Sequence, residues 1–209
     1  MNNFGMIKAS EKLQISIFSL FALIFFFMGQ GSVYSSLVLA SAVLHEASHL
    51  FFLYRYGAKI LGVTIYLFGV DINADTSRLS YKKELTCTLA GCLSNAALAL
   101  VSGVFLHFFP CEKLLFFMLC NIFLCIINLI PLSFFDGGRA IRLILYDCLD
   151  IDRAFYIHKF LDGFSALIFL CFSLFITVGS DFNLSVICVV IYASLSTLAS
   201  YIKIPCHKP

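Results

Sequence analysis

The chain has 209 residues, of which 61% are hydrophobic and only 12% charged, with 24 phenylalanines and a formal net charge of +2; its mean hydropathy is +0.97. Soluble domains carry about 25% charged residues, so this chain has too little polar surface to solvate a globule. That composition excludes a cytosolic enzyme, a nucleic-acid binder and a disordered protein, and leaves an integral membrane protein in contact with a lipid bilayer.

Six apolar runs read as transmembrane helices, in an otherwise all-α chain: residues 13–29, 34–54, 85–109, 114–135, 161–178 and 184–202. Each approaches the roughly 20 residues that a bilayer requires. The first run lacks a small-x-small cleavage site and is closely followed by another span, so it does not read as a removable signal peptide. With the N-terminus in the cytoplasm, every Lys and Arg except Lys113 falls on the cytoplasmic side. The positive-inside rule therefore favours both termini inside. All 209 residues read as a single six-span domain, with its core at 34–142 and no loop large enough for a PDZ or other soluble domain.

The segment after the second run has a β character. Residues 60–68 concentrate β-branched and aromatic residues before Gly69 breaks the pattern. A short strand at the cytoplasmic membrane face and an amphipathic linker both fit such a run. A strand would offer a free edge on which an unwound substrate could pair.

Ionisable residues inside a span are costly and point to function. The second run contains His45-Glu46-Ala47-Ser48-His49 between apolar neighbours. On a helix, positions i and i+4 share a face, so His45 and His49 can turn ring nitrogens toward one ion. Glu46 lies about 100° further round, placed to act on a water at that ion as general base. A polar clamp between helices would also bury such residues but would not need this register.

A catalytic zinc takes three protein ligands and keeps a fourth position for water. Asp136 is the acid best placed to complete the set. It follows the fourth run in Asn128-Leu129-Ile130-Pro131-Leu132-Ser133-Phe134-Phe135-Asp136-Gly137-Gly138-Arg139. Pro131 breaks or kinks the helix there, and the glycine pair allows a tight turn beyond it. The alternative is a headgroup carboxylate paired with Arg139. Asn95, after Ala90-Gly91, reads either as an interhelical hydrogen-bonding group or as part of the site lining. His107, His158 and His207 fall at interfaces or among cytoplasmic charges and call for no function. The nine cysteines are unpaired in pattern, with no C-x-x-C, and read as reduced small hydrophobes.

Taken together, these residues resemble the site-2 protease family of intramembrane zinc metalloproteases. The likeness rests on His45-Glu46-x-x-His49 within a span, on Asn128-x-x-Pro131 followed by Asp136-Gly137, and on Asn95 after Ala90-Gly91. Cys92 stands where many relatives carry Pro, which bears on the local helix geometry. The resemblance implies one zinc per chain held by His45, His49 and Asp136, with Glu46 activating water. It also implies that Asn128, together with Asn95, contacts substrate or the developing oxyanion. The six-span layout is most similar to the bacterial sporulation proteases that release a sigma factor from a membrane-tethered pro-form, without the CBS domain those often carry. The function implied is cleavage of a membrane-embedded or membrane-tethered protein in a bacterial cell membrane, with a regulatory membrane partner compatible with it. The alternative is a non-catalytic metal-binding membrane protein or transporter.

Overall fold

The computed structural model describes residues 6–8, 13–16, 32–66, 69–133 and 135–179. The chain forms two compact units, Met1–Ile126 and Ile127–Pro209.

The first unit centres on helix α1, Ser32–Arg55. Its end is fixed by local backbone chemistry. Gly57 adopts φ 79°, a left-handed conformation that glycine enters without steric cost. There the Gly57 N–H donates to the Tyr54 carbonyl at 3.0 Å and the Ala58 N–H to the Leu53 carbonyl at 2.9 Å. This reciprocal pair is a Schellman closure, which satisfies carbonyls left over at a helix end. Strand β3, Lys59–Tyr66, starts immediately after it and pairs antiparallel with β4, Gly69–Asp75. The register slips between Ile60 and Gly62, leaving Leu61 as the extra residue of a bulge. Two short strands precede α1: β1, Met6–Lys8, and β2, Leu13–Ser16. They complete a sheet of order β1-β2-β3-β4, in which β2 runs parallel to β3.

Helix α2, Tyr81–Phe108, opens after a side-chain-built turn. The Asp75 carboxylate accepts from Ser77 Oγ at 2.6 Å and from the Ser77 N–H at 3.1 Å. Those two bonds, the hydroxyl's first, hold the Asp75 carboxyl below its ordinary pKa. Along α2, Cys87, Gly91, Asn95, Ala99 and Ser102 are buried. They recur every three or four residues, so one stripe of small side chains lies on a single face. Small residues let helix backbones approach closely, and this stripe packs against α1. Helix α3, Glu112–Asn128, is tied to α1 at two levels. Tyr34 donates its hydroxyl to Glu112 Oε1 at 3.1 Å, and Asn121 Nδ2 donates to Ser41 Oγ at 3.0 Å.

The second unit contains the turn at 129–135 and two helices, α4, Asp136–Cys148, and α5, Ile151–Gly179, which pack on each other. Leu132, with 1% of its surface exposed, anchors the turn.

Among the described residues, three segments are long and apolar enough to cross a membrane: Val33–Arg55, Tyr81–Phe108 and Ile151–Phe172. They expose large apolar side chains such as Phe51 and Leu100, as a lipid-facing surface requires.

The structure changes the expected element map in several places. The first run opens as strand β2 rather than helix at Leu13–Ser16, because a short apolar, β-branched segment suits either state and here finds β3 as a partner. The rest of that run and the run at 184–202 lie outside the described residues. The fourth helix stops at Asn128, not at 135, since Pro131 cannot donate the helical N–H and disfavours helix just before it. The expected connection after Asp136 is instead α4 and the first ten residues of α5. The β character is realised over 60–66, while 67 and 68 lie outside the described residues; β3 has a partner on each side, so among the described residues the sheet's edges are β1 and β4.

Candidate metal centre

His45 and His49 stand one turn apart on the buried face of α1, 5% and 8% exposed. Their Nε2 atoms lie 3.2 Å apart, and the rings meet edge to face. Each ring is held from behind by α2. His49 Nδ1 lies 2.7 Å from the carbonyl oxygen of Cys87. A carbonyl only accepts, so Nδ1 carries the hydrogen and Nε2 of the neutral ring is a bare lone pair. His45 Nδ1 lies 3.1 Å from the Asn95 side-chain amide.

The Asn95 amide has two orientations, and each sets a different tautomer. With Nδ2 donating to His45 Nδ1, His45 Nε2–H donates to His49 Nε2, and the fully buried Asn95 Oδ1 has no partner among the described residues. With the amide turned over, Oδ1 accepts from His45 Nδ1–H, and both Nε2 atoms present lone pairs to the same point. Two such lone pairs in a dry interior repel unless a cation lies between them. Zinc–nitrogen bonds of about 2.0–2.1 Å in a tetrahedral site place two nitrogens about 3.3 Å apart. The observed 3.2 Å separation fits that requirement, and a carbonyl behind a metal-binding imidazole is the usual second partner.

Gly91 completes this pocket by having no side chain. A Cβ there would collide with His49 Nε2 and would stand 2.6 Å from His45 Nε2. Gly91 lies on the same helix face as Asn95, four residues on, and that spacing is its signal in the sequence. Glu46 is half-buried on the adjoining part of α1. Cys92 does not disturb α2: the helix continues through it, and its side chain is buried.

In the second unit, Asp136 is the first residue of α4 and is 8% exposed. Its position suits a carboxylate, because helix N-termini carry unpaired N–H groups and a partial positive charge. Gly137 and Gly138 follow because the turn folds back tightly. A Cβ at Gly137 would meet the carbonyl of Leu129, and one at Gly138 the carbonyl of Leu132. Asn128, half-buried, ends α3. The first unit thus brings His45, His49 and Asn95 together, while Asp136 and Asn128 belong to the second.

His158, expected among cytoplasmic charges, is instead buried on α5 at 7% exposure, and Asp162, within the fifth apolar run, is buried beside it at 5%. The usable signal was their i, i+4 spacing at the head of an apolar helix.

No family model matches this chain, and no curated protein matches it. Among solved structures, it is similar to the Site-2 Protease from Methanocaldococcus jannaschii, with 23% identity, 98% of each chain covered and a TM-score of 0.67. This chain therefore has the fold of a site-2 protease.

Proposed function

We propose that the chain is an intramembrane zinc metalloprotease that cleaves a membrane-embedded or membrane-tethered protein. The observation that carries this reading is the convergence of His45 and His49 Nε2 at 3.2 Å within an apolar helix. Asp136, buried and acidic, is the proposed third ligand, giving a His₂-carboxylate set that suits zinc. The shared fold supports the same reading.

When bound, the metal would lower the pKa of a ligated water to about 7 and polarise the scissile carbonyl. The chain's own residues supply the rest. Glu46, next to His45 but not in its ligand register, takes the water's proton and delivers it to the leaving amine. Asn128 supplies a hydrogen bond to the oxyanion, a contribution of roughly 3–4 kcal/mol where such donors have been removed. Asn95 acts through His45, fixing its tautomer. The Cys87 carbonyl does the same for His49.

A substrate helix is already hydrogen-bonded, so its scissile peptide must unwind before attack. Membrane-tethered regulatory proteins, such as a pro-sigma factor or an anti-sigma factor in a bacterial membrane, are the proposed substrate class.

The test is cleavage of a transmembrane peptide library in proteoliposomes. Cleavage that stops with a zinc chelator, returns with added zinc and is absent in Glu46→Gln supports the proposal. Zinc bound by wild type with no cleavage of any member would favour a non-catalytic metal-binding protein or transporter.

A further inference from the structure

Two backbone hydrogen bonds close the turn that leads into Asp136. Leu132 N–H donates to the Ile130 carbonyl at 2.8 Å, and Phe135 N–H to the Leu132 carbonyl at 2.8 Å. The Ser133 N–H goes instead to a side chain on α5, Asp162 Oδ1, at 2.7 Å. One turn earlier on the same helix, His158 Nε2 stands 3.5 Å from Ser133 Oγ. These two α5 residues therefore meet at Ser133, three residues before Asp136. Ala154, with none of its surface exposed, and the buried Ser165 continue the same face of α5 and let the turn approach closely.

A buried carboxylate such as Asp162 is costly unless its hydrogen bonds are made. A charge-assisted bond to a backbone N–H is among the stronger kinds. We infer that Asp162 and His158 are positioning residues that clamp the turn at Ser133 and so fix the Asp136 carboxylate for metal binding. The metal half of this role rests on the proposed function above; the clamp itself does not.

The experiment uses the full chain in detergent and reads two quantities. One is amide hydrogen exchange over residues 129–139 in metal-free protein; the other is zinc affinity. Asp162→Ala should speed exchange across the turn and weaken zinc binding about 10–100-fold, the usual range for partners of ligand residues. Asp162→Asn keeps an acceptor for Ser133 N–H and should restore both to near wild type. His158→Ala, which removes only the longer contact to Ser133 Oγ, should speed exchange over the same turn less than Asp162→Ala does. Asn121→Ala, in the first unit, controls for general loosening and should leave both readouts unchanged. Unaltered exchange in folded Asp162→Ala overturns the inference, as does zinc binding weakened equally by Asn121→Ala. If wild type binds no zinc but Asp162→Ala still frees the turn, the clamp stands and the protease reading falls.

Discussion

The carbonyl of Cys87 accepts from His49 Nδ1 at 2.7 Å, so the α2 backbone determines which nitrogen of that ring is bare. A backbone carbonyl cannot be removed by changing the side chain. The same control on His45 falls to the Asn95 side chain at 3.1 Å, which can be changed. That difference makes the two rings separately testable.

Asn95→Leu should remove the tautomer control on His45 and weaken zinc binding about 10–100-fold. Asn95→Asp offers an acceptor in either orientation and should bind zinc at least as tightly as wild type. Titration of the metal-free protein against a competing chelator measures both. Equal affinities in Asn95→Leu and wild type would mean that Asn95 only joins helices.

Metal content should separate ligands from base. Wild type and Glu46→Gln should each hold about one zinc per chain, whereas His45→Ala, His49→Ala and Asp136→Ala should lose it. Glu46→Gln should still lower turnover by at least the 10²–10⁴-fold typical of a missing proton-transfer group. Zinc retained by folded Asp136→Ala would return that residue to the alternative of a headgroup carboxylate.

Gly91→Ala places a methyl group where the two rings converge. Overpacking of this kind costs about 1–3 kcal/mol, so the melting temperature should fall and zinc should be lost. Gly103→Ala is the matched control, because among the described residues its added Cβ would meet only Met118 Sδ, at 3.4 Å. It should change neither reading.

Pro in place of Thr64 should disrupt the sheet rather than a docking edge, because β3 is paired on both sides. A loss of cleavage there would accompany a loss of stability. Pro in place of a β4 residue whose N–H faces outward should spare the melting temperature, which circular dichroism would show.

The histidine pair was legible in the sequence because helical spacing alone brings i and i+4 together, whatever the rest of the chain does. The break at Pro131 was legible for a similarly local reason. What escaped depended on distant partners. Leu13–Ser16 looks like the start of an apolar span until β3 provides a ladder for it. Helix α4 was hidden by Arg139, Arg142 and Asp147, which read as a polar connection although Ala140, Ile144 and Leu143 give it an apolar side. His158 reads as solvated because nothing in its own segment reveals the Ser133 turn that it and Asp162 meet.

The Schellman closure at Gly57 also sets a depth. Measured back from Arg55, where α1 ends, His49 and His45 lie about 9 and 15 Å along the axis at 1.5 Å per residue. A hydrocarbon layer is about 30 Å thick, so the proposed chemistry sits in the half of it nearer the sheet. Water therefore has the shorter crossing from that side.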